Sequence, residues 1–380
     1  MAAHQTMPSS QRTGYSSILK NLALSCFAIS AATSFELNRH PASSSSSSSA
    51  ITKIPLLAVV TAFEPAIPPR PSYISVDNAS QKYPVTLMNK LFSSVPKREN
   101  AVQNINLSFG HMSSSIANTD DGGVILLVGR SASGKSTLLR LLAGMEFPID
   151  GYVSINGHVL DTHSQIGMMP GTPSSWVKMG TPLPLDAFEE KCSRVQPVIL
   201  QGKPEFDDTL SVMERIVQMA LDTVHQCNKE SKCVGREESR EEETNSLLQS
   251  LAEDFTSLLT LSKDQCSSLP SELSPSGEYL FGIACGCMMS IAPSIQNAIY
   301  NDCITKNGTC YPILLFDELF DSEHPSTVEK CSKGIVNLIS HGGVVLSATH
   351  RPEYFKDMIS RTVTLSGGKV LKDDAQMLSK

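Results

Sequence analysis

The chain has 380 residues, enough for one large domain or two modest ones, and its 41% hydrophobic content can fill a sizeable core. A net charge of −7 argues against a nucleic-acid partner, because phosphate backbones demand clustered Lys and Arg. Ten cysteines show no disulfide or zinc-ribbon spacing, so thiols in a reducing compartment are expected, with Cys285/Cys287 and His225/Cys227/Cys233 only loose metal candidates.

Residues 1–71 read as a targeting leader and a disordered Ser-rich spacer. Five basic residues face only Glu36 and Glu64 in positions 1–70, and Lys20 precedes the apolar stretch Leu22–Ala32. That stretch has the length of a signal-peptide core, and Ala32-Thr33-Ser34 offers small residues for cleavage before Phe35. The run Ser43–Ser49 cannot bury enough apolar area to order itself. A signal-like core, a Phe and a basic Ser-rich tract resemble the bipartite leader of algae with secondary plastids. A simple chloroplast transit peptide and an uncleaved tail are the alternatives. The expected location is a plastid, stromal or membrane-associated, and otherwise the cytoplasm beside a membrane. Neither Leu22–Ala32 nor Ile54–Phe63 reaches the ~18–20 apolar residues of a membrane span. No span of its own is therefore expected.

From residue 72 short apolar runs alternate with helical patterns, as in an α/β domain. Val124–Val128, Ile313–Phe316 and Val344–Ser347 read as buried strands, and Ser136–Ala143 as a helix. Met168–Lys191 and Gln226–Glu243 read as solvated insertions, loops or frayed helix.

The stretch Gly129-Arg130-Ser131-Ala132-Ser133-Gly134-Lys135-Ser136-Thr137 fits G-x-x-x-x-G-K-[ST], with the required strand before it and helix after it. Its glycines let backbone N–H groups close around phosphate oxygens, and the helix aims its positive end at the same place. Lys135 would reach the β- and γ-phosphates, and the Ser136 hydroxyl would ligate Mg²⁺. Only one such loop occurs, so one nucleotide unit is expected, with ATP and Mg²⁺ as its ligands.

The residues that follow, Leu138–His158, resemble the corresponding stretch of ABC ATPases, and further elements come in that family's order. Ile313-Leu-Leu-Phe-Asp317-Glu318 resembles the Walker B strand, which implies that Asp317 holds Mg²⁺ through water and Glu318 polarises the attacking water. A helix cap is the other reading of this acidic pair. Val344–His350 resembles the switch-histidine strand, and Pro197–Gln201 the Q-loop, where Gln201 would touch Mg²⁺ or the nucleophilic water. Ile74–Pro84 is similar to the adenine-stacking loop, with Tyr83 as the ring or else a core tyrosine. Its distance from Gly129 implies insertions near Val85–Glu99 and His111–Asp121. Arg361–Val370 resembles the terminal hairpin.

The resemblance implies a P-loop NTPase of ABC type over residues 72–375: a mixed sheet, an antiparallel β subdomain and an inserted helical subdomain at about 203–295. Residues 376–380 would be a tail. The family's signature motif is altered here to Leu273-Ser274-Pro275-Ser276-Gly277-Glu278. Ser274, Ser276 and Gly277 would face a neighbour's nucleotide. Leu319 replaces a proline, and the D-loop aspartate falls near His324. Expected partners are a separate transmembrane subunit and a second ABC domain, identical or related. A soluble ABC ATPase outside transport and a regulatory ATP-binding module are the alternatives.

Overall fold

Two sheets organise the residues that the computed structural model describes: 72–82, 100–110, 123–160, 176–180, 195–206, 208–230, 238–300 and 311–375. The smaller sheet is antiparallel, ordered β2-β1-β4-β5, from β1 (Tyr73–Lys82), β2 (Asn100–Gly110), β4 (Asp150–Ile155) and β5 (His158–Val159). The larger runs β11-β10-β3-β9-β8-β7-β6. It comprises β3 (Val124–Val128), β6 (Val177–Lys178), β7 (Val198–Gln201), β8 (Ile313–Asp317), β9 (Val344–Ala348), β10 (Ile359–Ser366) and β11 (Lys369–Ala375). Its five inner strands are parallel, and β11 and β6 are antiparallel edges.

Both faces of the inner strands β3 and β8 are covered, which is why they read VILLV and ILLF, apolar at successive positions. Leu126, Leu314 and Phe316 point into a core shared with helices, whereas Ile125, Leu127, Ile313 and Leu315 point toward the antiparallel sheet and α1 (Lys135–Leu142). The helical core is built by α2 (Val212–Glu230), α3 (Glu238–Leu258), α4 (Lys263–Ser267), α5 (Pro275–Tyr300) and α6 (Pro325–Ser340). Helix α4 opens on a capping box, Ser262 and Gln265 each accepting the other's backbone N–H.

Helix α5 ties the helices to the sheet. A Cβ on Gly282 would lie 2.7 Å from Pro204, so only glycine allows this approach. Further along, the buried Ser290 hydroxyl accepts the Ile313 N–H at 3.0 Å, and the Ser290 carbonyl accepts the Gln196 N–H at 2.9 Å. These bonds anchor the start of β8 and the approach to β7.

The structure sharpens the reading of two insertions and of one apolar helix. The first insertion contains Trp176, 1% exposed, followed by strand β6 paired with β7. Its indole N–H donates to the Glu205 carbonyl at 3.0 Å, and its ring meets Phe206 edge-on at 4.8 Å. A large aromatic amid polar and Pro/Gly text was the signal of a core anchor. In the second insertion, residues 226–230 finish α2 and 238–243 begin α3. Finally, one helix segment among the described residues, Pro275–Ile295, is long and apolar enough to cross a membrane, with mean hydropathy 1.3. It is 89% buried within the fold, against α2, α3 and the sheet. The leader, Tyr83, both further insertions and residues 376–380 lie outside the described residues.

Candidate active site

Four neighbouring strands end in one row. Leu127 of β3 pairs with Ala348 of β9, Ala348 with Asp317 of β8, and Asp317 with Gln201 of β7. The segments leaving these strands therefore emerge together at the carboxyl edge of the sheet, where α/β folds place their ligands.

From β3 comes the phosphate loop. Gly134 adopts φ 106°, and a Cβ there would sit 2.5 Å from the Ala101 carbonyl oxygen, so the tight turn requires glycine. Arg130, Ser131 and Ala132 are exposed, whereas Ser133 and Thr137 are buried. The Ser133 hydroxyl is buried without a hydrogen-bond partner among the described residues. Lys135, 5% exposed, donates from Nζ to the Gly129 carbonyl at 3.0 Å and the Arg130 carbonyl at 3.4 Å. Burial pulls its ammonium below the ordinary lysine range, while Glu318, Asp317 and Asp321 oppose that shift.

From β8 come the carboxylates. Ser136 donates to Asp317 Oδ1 at 2.9 Å, joining residues 181 positions apart. Burial raises the Asp317 carboxyl above its usual range, the Ser136 hydrogen bond works against this, and Glu318 adds to it. Glu318 takes a left-handed φ of 56°, uncommon for a residue with a Cβ, and its N–H donates to the Ala348 carbonyl at 2.9 Å. This turn aims its carboxylate at the segment just past β9, where His350 Nε2 stands 3.1 Å from Glu318 Oε1. Asp321 accepts hydrogen bonds from the Thr349 hydroxyl and, at 2.8 Å, from the His350 N–H. Gln201 ends β7 beside Asp317, and its side-chain oxygen accepts from the Lys178 ammonium.

The structure thus gathers Gly129–Thr137, Asp317, Glu318, His350 and Gln201. Ser274, Ser276 and Gly277 form a separate turn that opens α5. The Ser274 hydroxyl accepts from the Gly277 N–H at 3.3 Å and lies 3.2 Å from that of Ser276. His324 caps α6, its Nδ1 accepting from the Ser326 N–H at 3.3 Å. Cys285 and Cys287 lie fully buried in α5, where burial pushes both thiols up. Sequence reasoning missed Asp321, Thr349 and Lys178. For Asp321 a signal existed, a third carboxylate in Asp317-Glu-Leu-Phe-Asp321.

Residues 116–288 match the model of the "ABC transporter" family. The octopine permease ATP-binding protein P of Rhizobium meliloti is 25% identical over 255 residues, 67% of this chain and 78% of that protein. The Fe(3+) ions import ATP-binding protein FbpC of Pseudomonas fluorescens is 44% identical over 73 residues, 19% of this chain and 17% of that protein's length. The solved ADP conformation of an ATP-binding cassette of an ABC transporter aligns with 80% of this chain and 91% of its own, at 14% identity and TM-score 0.48. The family match ends at residue 288, before Asp317, Glu318 and His350, which the fold brings back to the loop that the match contains. Over residues 116–288 this chain is thus similar to the ABC transporter family, and that stretch carries the phosphate loop on which Asp317 closes.

Proposed function

We propose that the domain binds ATP-Mg at Gly129–Thr137, hydrolyses it with Glu318 and His350, and so drives a separate transmembrane transporter subunit. The observation that carries this reading is the convergence of Ser136 on Asp317 and of His350 on Glu318 at one sheet edge. The relatives' names, an import and a permease ATP-binding protein, favour transport as the work done.

The chemistry follows from the residues. Lys135 now satisfies its ammonium with two loop carbonyls and can turn one donor to a phosphate oxygen without leaving its buried position. Loop N–H groups and the start of α1 supply further donors to the phosphates. The Ser136 hydroxyl and the Asp317 carboxylate are hard oxygen donors held in contact, a set that fits magnesium, which prefers oxygen and keeps several waters. When bound, magnesium neutralises charge on the β- and γ-phosphate oxygens. Glu318 accepts a hydrogen bond from the attacking water and aligns it with the γ-phosphorus. His350 steadies the carboxylate from the other side. Water's oxygen bonds to phosphorus as the bridging bond breaks, ADP departs with that electron pair, and the water's proton passes through Glu318 to the released phosphate.

Glu318→Gln keeps shape and hydrogen bonding but removes the charge. Turnover should fall by roughly 10²-fold or more while ATP still binds. Equal turnover in the two proteins would rule out this role for Glu318. A second reading, a nucleotide-binding module with little turnover, is favoured by the altered turn at Ser274, whose hydroxyl is committed to its own helix. Inert wild type that binds ATP would select it. For location we propose a plastid, on the strength of the leader's pattern.

A further inference from the structure

His350 and Glu318 form the pair on which turnover rests in the reading above, yet packing does not hold them. The His350 side chain is 41% exposed and that of Glu318 is 47% exposed. Side chains this open are not fixed by packing, so whether they meet depends on where their backbones place them. Glu318 is pinned by its own turn and by the Ala348 carbonyl. His350 has left strand β9, so the sheet no longer fixes it. Its own N–H is held by a carboxylate, Asp321, whose Oδ2 accepts it at 2.8 Å, while the preceding Thr349 keeps only a long 3.4 Å bond from its N–H to the Leu127 carbonyl of the sheet. Oδ1 accepts the hydroxyl of Thr349, and that hydroxyl in turn accepts the Arg351 N–H at 2.9 Å. Residues 349, 350 and 351 are thus tied, directly or through one atom, to Asp321.

The anchor's own position is set by Glu318. The Asp321 N–H donates to the Glu318 carbonyl at 3.2 Å, so the turn that carries the water-aligning carboxylate also carries the carboxylate that grips the histidine segment. We propose that Asp321 is a positioning residue for ATP hydrolysis, holding His350 against Glu318 by bonding the backbone of the segment that bears the ring. The inference rests on the hydrolytic reading of this site. It requires a carboxylate with both oxygens free to accept. Asparagine offers one acceptor and turns an N–H₂ toward the other donor; alanine offers none.

The test combines kinetics with a readout independent of turnover. Asp321→Ala should lower kcat by about 10- to 100-fold, the scale of a misplaced catalytic group, with ATP affinity within about twofold of wild type. In a His350→Ala background the same substitution should change kcat little, since the group it positions is gone. A purely structural role would instead lower kcat by the same factor in both backgrounds, and that result would overturn the proposal. Thr349→Val, which leaves the His350 N–H bond in place, should cost less than Asp321→Ala, and should Asp321→Ala not fold, Asp321→Asn takes its place in the cycle. Independently, hydrogen exchange at the His350 amide in the nucleotide-free protein should be slow in wild type and faster in the Asp321 variant. Unchanged protection would sink the anchor whatever the kinetics. Were the wild type unable to hydrolyse ATP, the hydrolytic reading would fall, and the exchange measurement alone would decide whether Asp321 holds the segment.

Discussion

Lys135 and Asp317 are buried at the same sheet edge, and burial disfavours the charged form of each. For Asp317 the consequence for stability has a definite sign. Its folded value lies above the ordinary 3.8, so the unfolded chain releases this proton first as pH rises. Stability is therefore lost as pH climbs above 3.8 through the interval between the two values. Asp317→Asn should raise the melting temperature of the nucleotide-free protein at pH 7, the gain shrinking as pH falls toward 3.8. The same variant should lose magnesium-dependent ATP affinity, a trade of function for stability found at strained sites. Thermal melts with and without ATP-Mg check both halves. An Asn variant that melts no higher would mean that Arg140 and Lys178, which favour the charged form, outweigh burial.

At the scale of elements, α5 makes the sheet and the helices one body. Its polar foothold is Ser290, fully buried and accepting the N–H of Ile313 where β8 begins. Ser290→Ala leaves that amide without its side-chain acceptor and should destabilise the fold by about 1–3 kcal/mol, seen as a lower urea midpoint at unchanged slope. An unchanged midpoint would show that the amide finds another acceptor. Because β8 ends in Asp317, the fault lies one strand length from the site, and ATP affinity of the folded variant should barely move.

For the whole molecule, Ser274 is exposed at the turn that opens α5, a place a second domain can reach even though its hydroxyl bonds within that turn. Glu318→Gln with ATP should accumulate a dimer on size exclusion, with itself or a related subunit, since unsplit nucleotide holds both halves. A monomer with ATP bound, alone and with every candidate partner, would favour the regulatory reading. The leader is tested separately: residues 1–70 fused to a fluorescent protein should direct it to a plastid, and diffuse cytosolic signal would remove that proposal.

The sequence by itself determined the phosphate loop and the strands that lead to it and to the carboxylates, and it carried the resemblance to ABC ATPases. Those signals are local: a loop motif needs only its flanking strand and helix, and a strand covered on both faces writes itself as an unbroken apolar run, VILLV or ILLFD. Only the tertiary structure decided which residues meet. The order β3-β9-β8-β7 sets segments far apart in the chain side by side, and strand order depends on packing between elements that share no local pattern. It brought Ser136 to Asp317 and His350 to Glu318, and it placed Trp176 inside a stretch whose composition reads as solvated. It turned the most apolar helix inward, because α2, α3 and the sheet together supply the covering that the helix's own residues cannot specify. Asp321 escaped notice for the same reason: a carboxylate in a turn looks like any solvated acid until the two donors it grips, 28 and 29 residues on, are folded back against it.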